Sequence, residues 1–227
     1  MTTDVREIEL ELMAGAAIPF TAGQFVSFEV QADGWPFPVT RSYSIASDPN
    51  ERTRIALLLN LVPGGRMSSH LFGLRPGDRT TFRGPFGTFC LRPTSRDLLF
   101  VATGTGIAPV RSMLWSLARQ QSSRRITLFW GVRTERDLYY QRELATLAER
   151  LPAFSFVPTV SRPDDGWHGA RGTVTPLVEH RIETVSNLDA YVCGNHSMIK
   201  DVTAALNRKG LCPVYREQYY SDAAPAA

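Results

Sequence analysis

The rhythm of apolar and polar positions changes near residue 97. Before it, the short apolar runs Phe25-Val-Ser-Phe-Glu-Val30, Arg54-Ile-Ala-Leu-Leu-Leu59 and Thr80-Thr-Phe-Arg83 stand between turn residues. Those residues are Gly23, Asp33-Gly34, Pro49-Asn50, Pro63-Gly64-Gly65 and Pro76-Gly77-Asp78. Runs of this length, bounded by Gly, Pro, Asn and Asp, predict the strands of an antiparallel barrel. Beyond residue 97 apolar strands alternate with helical spacing. Leu98 to Ala102 reads as a fully buried strand, and Val110, Met113, Leu114 and Leu117 share one face of the helix that follows. Ile126 to Trp130 is the next strand, and Leu144, Leu147 and Leu151 mark a helix. Phe154 to Val160 and Ala190 to Cys193 are further strands. Met198, Val202 and Leu206 lie on a closing helix that stops at Gly210, before a last strand from Val214 to Tyr220. Strands alternating with helices predict a parallel sheet with right-handed crossovers. The fold class is therefore α/β plus β: an antiparallel β-barrel domain over residues 1–93 and a parallel-sheet α/β domain over 97–227. The boundary falls in Arg92-Pro-Thr-Ser-Arg96, where Pro93 interrupts regular structure. Only the Ala/Pro end, Ala223 to Ala227, is of low complexity.

Composition narrows the classes of function. A chain of 227 residues that is 43% hydrophobic can bury a substantial core. A formal net charge of +3 with 21% charged residues is a slight arginine excess, not the basic face of a nucleic-acid binder. Apolar stretches such as Ile55 to Leu59 fall far short of the roughly 20 residues of a membrane helix. Met1 to Leu12 alternates its charges and does not read as a signal peptide, so a cytoplasmic location is expected. Cys90, Cys193 and Cys212 form no Cys-x-x-Cys pair, and His70, His168, His180 and His196 lack ligand spacing. No metal site is expected.

Several segments carry chemistry. Leu98 to Pro109 is a buried strand, a glycine turn and a helix. Gly104 and Gly106 permit a tight turn, and the backbone of Thr105 to Ile107 can aim N–H groups at a pyrophosphate. Pro109 stands where the third glycine of the dinucleotide fingerprint would be, and such a turn also closes without a ligand. In Arg41-Ser-Tyr-Ser44, beside a strand, Arg41 can grip a phosphate in bidentate fashion, Tyr43 can pack on a ring system and Ser44 can hydrogen-bond a heteroaromatic nitrogen. Gly64 to Ser69 precedes a short helix, where Ser68, Ser69 and Arg66 form a second phosphate-ready group. Taken separately, each of the last two segments is more often a solvated turn.

In this order the segments resemble the ferredoxin-NADP reductase superfamily, from about Phe20 to Tyr219. Arg41 to Ser44 matches its Arg-x-Tyr-Ser flavin motif, and Gly65 to Ser68 its Gly-x-x-Ser. Gly84-Pro-Phe-Gly87 looks like its Gly-Pro-x-Gly barrel turn, and Thr103 to Pro109 its Gly-x-Gly-hydrophobic-x-Pro loop. Cys193-Gly-Asn-His-Ser-Met198 matches Cys-Gly-x-x-x-Met, and Glu217-Gln-Tyr219 the C-terminal Glu-x-aromatic. The resemblance implies a flavin-binding barrel and a Rossmann-like nucleotide domain.

By the same resemblance, Ser44, Cys193 and Glu217 are the catalytic set: Ser44 and Glu217 near flavin N5, Cys193 lining the nicotinamide pocket and not acting as a nucleophile. Arg41, Ser42, Tyr43, Gly65, Arg66, Met67, Ser68 and Ser69 would hold the flavin, Thr103, Gly104, Thr105, Gly106, Ile107, Pro109, Gly194 and Met198 the nicotinamide nucleotide, and Asn60 and Tyr219 are also expected to bind cofactor. Arg133, after the second α/β strand, and Ser161-Arg162, after the third, would face the adenosine ribose or a 2′-phosphate. Trp167-His-Gly-Ala-Arg-Gly172 resembles a motif of NADH-preferring reductases, which favours NADH over NADPH. The implied cofactors are FAD, with FMN as the alternative, and NADH or NADPH as hydride donor. The implied partner is a ferredoxin or oxygenase component on a separate polypeptide. A reductase of free flavin and a non-enzymatic subunit of a complex are the other readings. Only Met1 to Asp4 precede the strand from Val5 to Leu12, so the resemblance implies a barrel lacking its first strand, with an edge that a partner could cover.

Overall fold

The computed structural model describes residues 1–31 and 37–219. The turn expected at Asp33-Gly34, the strand end at Tyr220 and the Ala223 to Ala227 tail lie outside the described residues.

Five strands make up the N-terminal half: β1 (Val5–Glu11), β2 (Phe25–Val30), β3 (Val39–Ser44), β4 (Arg54–Asn60) and β5 (Phe82–Phe86). They pair antiparallel in two sheets, β1-β4 and β3-β2-β5, which an Ile45–Leu57 bridge connects. Alternate residues of β4 explain why its apolar run is continuous. Ile55, Leu57 and Leu59 face a barrel core with Val26, Phe28, Met67 and Leu71, while Leu58 joins a second cluster that includes Val5, Ala46 and Phe89. A strand buried on both faces has no need of a polar stripe. The helix α1 (Arg66–Gly73) packs against β2 and β3. In ladder order β1 and β5 are the outermost strands.

The expected strand at Thr80 to Arg83 is displaced. It runs from Phe82 to Phe86, through the segment read as a Gly-Pro-x-Gly turn, and its register against β2 shifts between Phe25 and Ser27. Gly84, at φ +147°, makes this possible, since a Cβ there would lie 3.1 Å from the Phe25 carbonyl oxygen. Pro85, which cannot donate to a ladder, is tolerated because β5 is an edge strand.

The second half is one parallel sheet in the order β11-β10-β6-β7-β8-β9. Its strands are β6 (Asp97–Thr103), β7 (Ile126–Val132), β8 (Phe154–Val160), β9 (Ala170–Arg171), β10 (Leu188–Gly194) and β11 (Val214–Gln218). The helices are α2 (Ile107–Arg119), α3 (Gln141–Arg150), α4 (Thr175–Arg181) and α5 (His196–Lys209). The short β9 and α4 have too little apolar periodicity to stand out in the sequence. Val110, Met113, Leu114 and Leu117 are all fully buried, as their spacing predicts. Leu151 is buried too, but just past the end of α3. The strand order reverses between β6 and β10, which lie side by side, and the crevice beyond their C-terminal ends is where open α/β sheets bind ligands. Among the described residues no helix is long and apolar enough to cross a membrane, and no cluster of side chains could hold a metal ion.

The polar segment Arg92 to Arg96 is docked along β10. The Arg92 N–H donates to the Tyr191 hydroxyl at 2.8 Å, Thr94 Oγ1 to Asp189 Oδ2 at 2.6 Å, and Arg96 to the Leu188 and Ser186 carbonyls. Burial, its largest cause, pushes the Tyr191 phenol up to about 12, so it stays a neutral acceptor for that N–H.

Candidate functional site

The crevice is built by close backbone approach. β6 ends at Thr103 and turns through Gly104, Thr105 and Gly106 in a single 3-10 turn before α2 begins at Ile107. Gly104 sits in the left-handed region, at φ +52°. A Cβ on Gly106 would come within 2.5 Å of the Cys193 carbonyl oxygen, and one on Gly194 within 2.1 Å of Thr103 Oγ1 and 2.9 Å of Met198 Cε. Only glycine lets the β6 turn and the end of β10 share that space. Pro109 is buried in the first turn of α2, where its missing N–H costs no hydrogen bond.

The C-terminal strand completes the crevice. Glu217 lies beside Cys193 in the β10-β11 register, and the Tyr219 N–H donates to the Gly194 carbonyl at 2.9 Å. The Tyr219 hydroxyl donates to Ser44 Oγ at 2.8 Å, joining the end of β11 to the end of β3. Ser44, Cys193, Gly194, Glu217, Tyr219 and the Thr103 to Gly106 loop are thus brought to one place. Asn60, at the end of β4, reaches the same loop, its Nδ2 donating to Thr105 Oγ1 at 3.4 Å.

Burial dominates the electrostatics. It pushes the Cys193 thiol well above its ordinary range, with the Glu217 charge adding to the effect and a hydrogen bond with Tyr219 opposing it. The thiol is neutral near pH 7 and is a poor nucleophile. Burial also raises the Glu217 carboxyl. The half-buried Cys90 senses that same charge, though burial is its larger influence.

The flavin-side motif lies on β3 itself and not beside a strand. Arg41 and Ser42 are exposed, Tyr43 packs edge-on to Phe28 at 5.9 Å between ring centroids, and Ser44 is buried. Next to β3, α1 starts at Arg66 with Gly65 as N-cap and without a side-chain cap. Of its residues, Arg66 and Ser69 are exposed. Met67 and Ser68 turn inward, Met67 into the barrel core and Ser68 onto its own turn, where Oγ accepts the Val62 N–H at 3.1 Å and contacts the Gly65 carbonyl at 3.1 Å. An uncapped helix start that carries Arg66 and lies beside the Arg41-bearing strand is a donor set suited to phosphate.

Arg133, Ser161 and Arg162 form a separate group past the ends of β7 and β8. The Arg162 N–H donates to the Arg133 carbonyl at 2.8 Å, and both side chains are exposed.

Two supporting residues are not among those expected from the sequence. Trp130, fully buried in β7, donates Nε1–H to the Gly104 carbonyl at 3.0 Å and so holds the loop from beneath. Asn195 caps α5 by accepting the Met198 N–H at 2.9 Å. The asparagine could have been read as an N-cap before the Met198 helix. The tryptophan could not, because its partner is 26 residues away.

Comparison with known proteins decides the family. The oxidoreductase FAD-binding domain matches residues 1–90, and the oxidoreductase NAD-binding domain residues 100–204. The chain is an oxidoreductase of these FAD-binding and NAD-binding domain families, with the fold of ferredoxin-NADP reductase-like structures. It is 32% identical over 206 residues to the anthranilate 1,2-dioxygenase electron transfer component of Acinetobacter baylyi, covering 89% of this chain and 59% of that one. The cytochrome P450 reductase GcoB of Amycolatopsis superposes with a TM-score of 0.86 at 30% identity, over 95% of this chain and 65% of that one. A ferredoxin NADP+ reductase of Neisseria gonorrhoeae, with bound FAD and NADP, has a TM-score of 0.81 at 24% identity over 96% of this chain and 93% of its own, a likeness of fold. The chain spans about three fifths of the length of the curated relatives it matches.

Proposed function

We propose that this oxidoreductase passes a hydride from NADH or NADPH to bound FAD and hands electrons on to an iron-sulfur protein or oxygenase component. The observation that carries this reading is the Tyr219–Ser44 hydrogen bond, which sets the end of the nucleotide-side sheet directly against the flavin motif. Bound FAD would supply the conversion of a two-electron donor into single electrons. The chain's own residues bind and orient. Arg41, Ser42 and Arg66, with the first turn of α1, take the flavin phosphates, and Tyr43 packs along the flavin. Ser44 lies at the hydride-accepting edge. The Thr103 to Ile107 backbone takes the nicotinamide-nucleotide pyrophosphate, and Arg133, Ser161 and Arg162 take the ribose at its far end. Cys193 and Glu217 line the nicotinamide side, where a neutral thiol adds packing without competing chemistry. Hydride transfer needs no general base, so orientation is the main service these groups render. The two domains meet at Arg92 to Arg96, with NADH as the preferred donor.

The relatives named as electron transfer components of dioxygenases support a protein acceptor. An absorption spectrum of the purified protein followed by anaerobic titration with NADH and then NADPH tests the reading. Yellow protein bleached by one nucleotide is expected. Colourless protein that turns over added flavin saturably would replace this reading with that of a free-flavin reductase, and failure of both nucleotides to bleach bound or added flavin would refute both.

A further inference from the structure

Three contacts fasten α2 to the N-terminal half along its length. Ahead of its first turn Thr105 meets Asn60, in its last turn Arg119 pairs with Asp48, and between them lies Arg111. The Arg111 side chain is the buried one, 14% exposed against 52% for Arg119. Its Nη1 donates to the Ala46 carbonyl at 3.3 Å and to Glu7 Oε1 at 3.5 Å, and its Nε to Glu143 Oε1 of α3 at 2.8 Å. The guanidinium lies 4.6 Å from the centroid of the Tyr140 ring, whose hydroxyl donates to Glu7 Oε2 at 2.6 Å. Trp115 Nε1 closes the group on Glu143 Oε1 at 2.6 Å. One planar fork therefore holds β1, the turn after β3, α2 and α3 together, in surroundings where such bonds are strong and geometrically exacting.

The ends of this brace matter. Ala46 follows Ser44 by two residues, and Arg111 follows Ile107, where the nucleotide loop becomes helix, by four. We infer that Arg111 is a positioning residue for hydride transfer: by tying Ala46 and Glu7 to α2, it sets the separation between the Ser44 side of the crevice and the Thr103 to Gly106 loop. The inference rests on the hydride-transfer reading above. It follows from how steeply such transfer depends on donor–acceptor distance, where a displacement of about 1 Å costs on the order of 100-fold in rate. Arg208, which pairs with Glu179 between α5 and α4, is exposed and has no such partners.

The test compares Arg111→Met, Arg111→Lys and the control Arg208→Met in flavin-loaded protein. Anaerobic stopped-flow reads the limiting rate at saturating NADH, long-wavelength absorbance reads the stacking of flavin and nicotinamide, and calorimetry reads NAD+ affinity. Arg111→Met should keep its flavin and its nucleotide affinity while losing roughly 10- to 100-fold in limiting rate, with a weaker stacking band. A lysine keeps the charge but cannot reach the three acceptors at once, so Arg111→Lys should fall between, and Arg208→Met should match the parent. A variant with the parent's limiting rate and band overturns the inference. If Arg111→Met does not fold, Arg111→Lys decides, and an unchanged rate there overturns it equally. An inert parent protein would overturn both the function and the brace, whereas an active parent with unaffected variants overturns the brace alone.

Discussion

Two glycine turns in this molecule lead into helices, and they are held in opposite ways. The turn before α1 is closed by its own residues. The Gly65 N–H donates to the Val62 carbonyl at 2.8 Å, and Ser68 Oγ ties Val62 to Gly65. The turn before α2 is closed by the rest of the fold: Trp130 beneath Gly104, Cys193 against Gly106, Asn60 on Thr105 and Gly194 against Thr103. The first is a local sequence device. The second exists only once three other strands, β4, β7 and β10, are in place, so its shape reports on the packing of both halves.

That contrast can be broken by substitution. Gly106→Ala should have the largest effect. Its Cβ would meet backbone atoms of β10 at 2.5 and 2.9 Å, which no side-chain rotation relieves, so about 3 kcal/mol of stability should go, together with NADH binding. Thermal unfolding and nucleotide titration measure both, and a variant as stable as the parent would show that the loop and β10 are not tightly coupled. Ser68→Ala comes next, at about 2 kcal/mol, because it leaves the Val62 N–H without its acceptor. Its cost should fall on flavin content and leave NADH affinity unchanged. Gly104→Ala should be milder, about 1 kcal/mol, since nothing lies within 4 Å of its Cβ and only the left-handed backbone resists. If Gly104→Ala and Gly106→Ala prove equally harmful, backbone conformation and not the close approach governs the loop.

The same contrast explains what the sequence disclosed. Strand β8 and the fully buried face of α2 were legible because periodicity is a property of neighbouring residues. The order of the short motifs predicted the meeting of Ser44, Cys193, Glu217 and Tyr219, although no single motif did. Local pattern could not show that β5 bulges through Gly84-Pro85, that Met67 and Ser68 turn away from the solvent side of α1, or that Arg111 finds Glu7 across 104 residues. Each depends on which surface the finished fold brings alongside, and that choice belongs to tertiary packing.

The smallest effect sharpens the electrostatic side of the nucleotide-half site. Burial raises the Glu217 carboxyl above its ordinary range, so the folded chain holds this proton more tightly than the unfolded chain does. The resulting stability is fully present below the ordinary carboxylate range and is lost as pH rises through the folded value, which leaves a charged carboxylate half-buried beside a neutral thiol at neutral pH. Glu217→Gln removes that cost. It should therefore raise the unfolding temperature by about 2 °C in neutral buffer, with the gain shrinking as the pH is lowered to about 4, where the native glutamate is itself protonated. A gain that is independent of pH would mean that the glutamine packs better than the acid, and not that the charge is what burial opposes. A loss at neutral pH would mean that the carboxylate finds a donor at the end of β11 strong enough to offset its burial.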